Sequence, residues 1–262
     1  MKNILFKLIF SLIVIGASPL HAETNADKGK EIIRVVNKNN TGWGTSEAKM
    51  VMILKNQRGD ESIRKIRIKT LEMKDDGDKG LTIFDEPLDV AGTAFLSFSH
   101  PLEADEQWIY LPALKRVKRI SSSNKSGPFM GSEFSYEDIS SFEVEKYSYQ
   151  YLREEKLDEY ETFVIELTPL YENSGYTKEV VWVDKTDYIF RKIDYYDRKK
   201  SLLKTLTFSN YKQFKNQFWR ALTMEMVNFQ RHKSTTLSWT DYQFDVSLSE
   251  SDFNKANLTR AR

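Results

Sequence analysis

The chain has 262 residues, with 39 Lys and Arg against 38 Asp and Glu, and no cysteine. A charge this close to balance argues against nucleic acid as a partner, and the absence of thiols excludes disulfides, thiolate metal sites and cysteine chemistry. Thirteen Tyr, 16 Phe and five Trp are enough to fill a large core or to line a cavity.

Residues 1–22 have a basic start at Lys2 and Lys7, an apolar run from Leu8 to Ile15, and Pro19-Leu20-His21-Ala22 before Glu23. This is the layout of a secretory signal peptide, with cleavage expected after Ala22. The apolar run is shorter than the ~20 residues of a membrane span. Cleavage leaves 37 basic against 38 acidic residues, and residues 23–262 are expected to form one soluble, exported, unlipidated domain. With Asp27 as cap, Lys28–Asn37 reads as a short helix whose apolar face carries Ile32, Ile33, Val35 and Val36. Thr41-Gly42-Trp43-Gly44 ends it. Ala48, Met50, Met52 and Leu54 then share one strand face, residues 57–60 turn the chain, and Ile63–Leu71 returns as the second strand of a hairpin. Leu81–Phe84 and Ala94–Phe98 follow as strands.

The stretch from Trp108 to Ile139 carries the most information. Trp108–Leu111 alternates as a strand, Pro112 interrupts the ladder, and Lys115–Ile120 resumes as a basic strand. In extended geometry Lys115, Val117 and Arg119 share one face and Arg116, Lys118 and Ile120 the other, so one face must be wet. Residues 121–127 are too polar to bury. Phe129 and Met130, flanked by Gly127 and Gly131, then put two large apolar side chains in a loop. Ser135–Asp138 has capping-box spacing and predicts a short helix starting near Tyr136.

Beyond it, alternation sets Tyr147, Tyr149 and Tyr151 on one face, then Phe163, Ile165 and Leu167, then Val181 and Val183 opposite Val180 and Trp182. Strands over Tyr188–Tyr196, Leu202–Tyr211, Phe218–Phe229 and Thr235–Val246 are separated by turn residues, and 249–253 reads as a helical turn. Such regular strands, with no long helices between them, predict a mainly β domain: an antiparallel meander curled into a barrel or sandwich.

Catalytic parts are sparse. His100 and His232 lack metal-ligand spacing, and there is no Gly-x-Ser-x-Gly elbow or phosphate loop, so no enzyme activity, cofactor or metal is expected. Glu133, Glu137 and Asp138 are the remaining acid/base candidates, for a hydrolase, against the plainer reading of helix capping and surface charge.

Trp108-x-Tyr110-Leu111-Pro112-Ala113-Leu114, the basic run 115–120, and Phe129-Met130-Gly131-Ser132-x-Phe134-Ser135-Tyr136-Glu137-Asp138 resemble the LolA-like outer membrane lipoprotein-sorting family, with a weaker echo at Pro87-x-x-Val90-x-Gly92-Thr93. The resemblance implies a non-enzymatic periplasmic carrier with an incomplete antiparallel β-barrel of the LolA/LolB-like type, its cavity covered by short helices. It further implies a monomer that holds the acyl chains of a lipid or lipoprotein, an inner-membrane RND-type transporter as partner and an outer-membrane acceptor. A periplasmic lipid-sensing regulator that binds a membrane partner is the alternative within the same fold.

Such a carrier needs an apolar cavity, a cover and a rim that meets the head group. Met50, Met52, Trp108, Tyr110, Phe163 and Ile165 are the candidates to line the cavity, and Phe129, Met130 and Phe134 to line or cover it. Lys115, Arg116, Lys118 and Arg119 are the candidates for head-group or partner contact, unless they serve to keep an edge strand from aggregating.

Overall fold

The structure, a computed structural model, describes residues 24–260; the expected signal peptide lies outside them. Thr24 caps the first helix, α1 (Asn25–Asn39). The Thr24 hydroxyl accepts the Asp27 N–H at 3.1 Å, and the Thr24 N–H donates back to the Asp27 carboxylate at 3.3 Å. Asp27 is thus the third helical residue of a capping box and not the cap, and the helix begins before the expected Lys28. Its apolar face buries Ile32 and Ile33.

Thirteen strands follow: β1 (Thr45–Lys55), β2 (Glu61–Leu71), β3 (Lys79–Glu86), β4 (Ala94–Phe98), β5 (Glu106–Leu111), β6 (Arg116–Arg119) and β7 (Tyr147–Leu157). They continue as β8 (Tyr160–Pro169), β9 (Tyr176–Asp184), β10 (Phe190–Asp197), β11 (Leu202–Phe214), β12 (Phe218–Asn228) and β13 (Lys233–Phe244). All pair antiparallel in one sheet of order β6-β5-β4-β3-β2-β1-β13-β12-β11-β10-β9-β8-β7. Inward residues from Ile109 of β5 through Met50 and Met52 of β1 to Ile165 of β8 pack in one cluster, so the sheet is strongly curled. It is not closed, since β6 and β7 remain as its two edges: an incomplete barrel, as expected.

Those edges are consecutive in the chain, and the connection between them, residues 120–146, folds back through the concave side. Phe129 packs against Phe84 of β3 and Phe95 of β4, Glu133 reaches Thr235 of β13, and Tyr176 of β9 meets Ser135. The expected helix near Tyr136 is a single 3-10 turn, Glu137–Ile139, whose cap position is Tyr136 without a side-chain bond; Ser135 and Asp138 do bond each other, the Ser135 N–H on Asp138 Oδ2 at 2.6 Å and the Asp138 N–H on Ser135 Oγ at 3.4 Å.

The convex face of β3 to β5 is buried as well. Phe253 and Leu258, from the C-terminal 3-10 turns Glu250–Asp252 and Lys255–Arg260, cover Leu81, Ile83, Leu96 and Trp108. Trp108 and Tyr110 were expected to line the cavity; they lie on this outer face instead, because Ile109 and Leu111 take the inward positions of β5. Alternation shows which residues share a face but not which face points inward.

Gly29 sets the distance between α1 and the sheet: a Cβ at this position would stand 2.9 Å from the Tyr151 nitrogen. Gly29→Ala tests this. Helix propensity alone would raise stability by about 0.5–1 kcal/mol, whereas forcing α1 off β7 costs about 1–3 kcal/mol. Thermal unfolding is expected to show a lower midpoint for the variant; a higher one would mean that α1 can move outward freely.

Candidate functional site

The inward connection is held by buried polar pairs. Lys204 of β11 donates to Asp138 Oδ2 at 2.6 Å and to the Glu133 carbonyl at 2.8 Å, with the ion-pair side chains 4% and 3% exposed. The Tyr176 hydroxyl donates to Asp138 Oδ1 at 2.7 Å, and Asn228 Nδ2 to Glu133 Oε2 at 2.6 Å. Glu137 accepts from Ser174 Oγ and from the Gly175 N–H, each at 2.9 Å. The carboxylates named for a hydrolase are therefore committed to holding this segment in place. Nearer β7, Asp105 lies between Lys125 and Lys146. Burial alone would raise its carboxyl, but the two ammonium groups overcome that and hold it below the usual carboxylate range.

Two carboxyls in this region go the other way: burial, with the neighbouring Asp138, raises Glu137, and Glu179 is raised further. Burial, reinforced by the neighbouring Asp138 and Glu137, pushes Glu179 up to about 8. Lys204, which acts on it through space, is already paired with Asp138.

The connection occupies part of the concave side and leaves a hollow beside it. A cavity of about 550 Å³ opens there between the C-terminal end of α1, the start of β1, the end of β2 and the β11–β12 hairpin. It continues into an inner chamber of about 260 Å³, and the two share Trp43, Thr70, Asp78, Ser141, Met224 and Trp239 as walls. Met50, Ile68, Phe95, Phe129, Phe134 and Leu237 give the chamber an apolar floor. Trp43 is set by its flanking glycines, whose φ angles of +92° and +73° only glycine adopts readily. Their N–H groups donate to the Glu72 carboxylate at 2.6 and 2.7 Å.

The mouth carries charge. Asp78 is pushed up to about 7 by burial, with Glu143 and Glu72 adding to the effect, and burial also raises Glu143. Arg220 of β12 lies in the same wall.

The sequence candidates divide accordingly. Met50, Phe129 and Phe134 line the inner chamber. Met52 and Ile165 are fully buried in the main core, and Phe163 is half-buried beside Tyr151 and Tyr188. Phe129, read as part of a cover, is 1% exposed and belongs to that core, while Met130 is half-buried with a φ of +49°. Lys115 caps the Pro112–Leu114 turn with a φ of +48°, so β6 begins at Arg116 and Lys115 does not share a strand face with Val117 and Arg119. Arg116, Lys118 and Arg119 are exposed on this edge strand, Arg119 pairing with Glu106 at 2.9 Å. Trp43, Met224, Trp239 and Arg220 were missed. Only Gly42-Trp43-Gly44 had a signal, a large ring between two turn-forming residues. Among the described residues, no group of three or more His, Asp or Glu side chains is arranged to hold a metal ion.

Comparison with known proteins places this geometry among relatives. A family model described only as "Uncharacterized protein" matches residues 76–260. The chain is similar to a solved domain from Vibrio parahaemolyticus described as an outer membrane lipoprotein-sorting protein, with 58% identity, a TM-score of 0.88, and coverage of 90% of this chain and 100% of that one. It is also similar to a DUF1329 family protein from Desulfovibrio piger, with 29% identity and a TM-score of 0.85 over 90% of this chain and 99% of that one. A LolA superfamily protein from Nitrosomonas europaea shares the fold, at 19% identity and a TM-score of 0.70 over 87% of this chain and 98% of that one. No curated protein matches the sequence.

Two stability measurements check the pins. Lys204→Met strands the buried Asp138 carboxylate and is expected to cost about 3–5 kcal/mol in urea unfolding, most of it recovered when Asp138→Leu is added. No recovery in the double variant would mean that the pair is not what holds the segment. Glu179, with an ordinary value of 4.5 raised to about 8 in the fold, favours folding when protonated. Its contribution is complete below about 4.5 and is lost as pH rises through about 8. Glu179→Gln is therefore expected to be more stable than the unaltered protein at pH 9 and no different at pH 4; a constant difference across that range would contradict the assignment.

Proposed function

The chain belongs to the outer membrane lipoprotein-sorting family and has a LolA-like fold, and from that premise we propose that it is a periplasmic carrier for the acyl chains of a lipid or lipoprotein. The observation that supports this best is the cavity itself. A barrel of this size could have been filled with side chains, yet two lobes of about 550 and 260 Å³ that share walls remain. The larger lobe is within the range of small-molecule sites, about 300–1,000 Å³, and the smaller one extends it inward. Met50, Met224 and the surrounding rings adapt at low cost to chains of different length, because thioether side chains change rotamer readily.

In this reading an inner-membrane transporter of the RND type loads the cavity and an acceptor at the outer membrane empties it, with no covalent bond made or broken. Direction follows from relative affinity, each tenfold difference corresponding to about 1.4 kcal/mol. The exposed Lys115, Arg116 and Lys118 offer an anionic head-group layer or an acidic partner surface a place to meet the protein. The same charges protect the free edge of β6 from pairing with another chain.

Native mass spectrometry of protein taken from the periplasm is expected to show a bound lipid mass. Met224→Trp, which blocks the neck between the two lobes, is expected to abolish that adduct with little change in the unfolding midpoint. Unaltered protein without any adduct, or an adduct that survives in the variant, would sink the proposal.

A further inference from the structure

We propose that the cavity selects an amphiphile whose head group carries both an acidic group and an amine, the acid seated on Arg220 and the amine beside Asp78 and Glu143. The inference rests on the carrier reading and names the chemistry of its cargo.

Arg220 points to the acidic half. Its guanidinium is half-buried at 6.0, 5.9 and 5.5 Å from the rings of Trp43, Phe218 and Phe244. Its hydrogen-bond partners are uncharged oxygens: Asn40 Oδ1, the Trp219 carbonyl at 3.0 Å, and the Tyr242 hydroxyl. Arg191 shows what a satisfied arginine looks like in this fold, with two bonds to Asp184 at 3.0 and 2.7 Å. Glu72 and Asp78 act on Arg220 only through space, and no ion pair among the described residues includes it. A cation held in a cavity wall without a carboxylate partner has capacity for a phosphate or carboxylate, which its fork binds with two donors.

The second half follows from the carboxylates of the same mouth. Asp78 accepts the Met73 N–H at 3.3 Å, and Glu143 accepts Ser99 Oγ at 2.9 Å. Gly77 makes this close placement achievable, since a Cβ there would stand 2.4 Å from Ser99 Oγ and 2.5 Å from Glu143 Oε1. Glu143 and Glu72 act unfavourably on the Asp78 carboxylate, and among the described residues neither Asp78 nor Glu143 is in an ion pair, so an ammonium at this point relieves repulsion that direct pairing does not. An amphiphile with an acid alone would meet these carboxylates unfavourably, and one with an amine alone would leave Arg220 unused. With its tail in the inner chamber, a zwitterionic head satisfies both.

The test is calorimetric titration of the full exported chain with four ligands of one chain length, below their micelle concentrations. They are lysophosphatidylethanolamine (phosphate and amine), N-acyl-lysine (carboxylate and amine), lysophosphatidylglycerol (phosphate only) and monoacylglycerol (neither). At least one zwitterion is expected to bind about tenfold or more tighter than monoacylglycerol, with lysophosphatidylglycerol between them. The tighter zwitterion identifies the acid as phosphate or carboxylate. Arg220→Gln is expected to erase the gap between lysophosphatidylglycerol and monoacylglycerol, and Asp78→Asn with Glu143→Gln the gap between lysophosphatidylethanolamine and lysophosphatidylglycerol. Should Arg220→Gln not fold, Arg220→Lys, which keeps the cation, must retain the ranking. Equal affinities for all four ligands overturn this inference and leave the carrier reading intact; binding of none overturns both.

Discussion

A curled sheet that stops short of closure has two unpaired edges and an interior that water can enter, and here one buried ion pair governs how both are managed. Lys204 and Asp138, 2.6 Å apart, tie the connection between the edge strands to the middle of the sheet. A lone charge at that depth would be intolerable, so neither residue can be buried without the other. The pair is surrounded by the rings of Tyr176 and Tyr195 and by Glu133, whose own carboxylate is taken up by Asn228. Because these contacts come from β9, β10, β11 and β12, the connection has one position along the barrel. It occupies part of the concave side and leaves a hollow beside it.

The hollow follows from this arrangement. Phe129 and Phe134 are carried by the pinned segment, and they form the floor on which the inner chamber rests. The walls are alternate residues of strands whose other faces are partly covered, so a ligand would meet surfaces already set before it arrives. Such preorganisation lowers the ordering cost of binding. The charged mouth lies where α1 ends, and the Asn40 side chain at that end accepts from Arg220, so the helix terminus and the mouth are physically joined.

Much of the fold was legible in the sequence because alternation survives wherever one strand face is buried. Phe163, Ile165 and Leu167 lie on the inner face together, as do Val181 and Val183, with Val180 and Trp182 outside. Alternation failed where both faces are buried. On β5, nothing local reveals that Phe253 and Leu258, far along the chain, will cover Trp108, so its size suggested an interior that belongs to Ile109. Phe129 does line the chamber, but that its loop lies inside the barrel was not legible, for a related reason. Its glycine and serine neighbours signal a turn, and a turn inside a barrel reads the same as one on its surface. Arg220 gave no signal at all, since a charged residue in an alternating strand is ordinarily a solvated one, and only the assembled rings of Trp43, Phe218 and Phe244 show otherwise.

The central claim is that an acyl chain enters the space between Trp43 and Trp239 and does not merely adhere to the outside, where Trp108 and Trp182 lie. Tryptophan quenching by a brominated acyl chain distinguishes these most directly, because bromine quenches rings only at short range. The account predicts quenching that is unchanged by Trp108→Phe and Trp182→Phe and largely lost when Trp43→Phe, Trp219→Phe and Trp239→Phe, the three cavity-lining positions, are combined. Quenching that persists without these three, or that is absent from the unaltered protein, would contradict it.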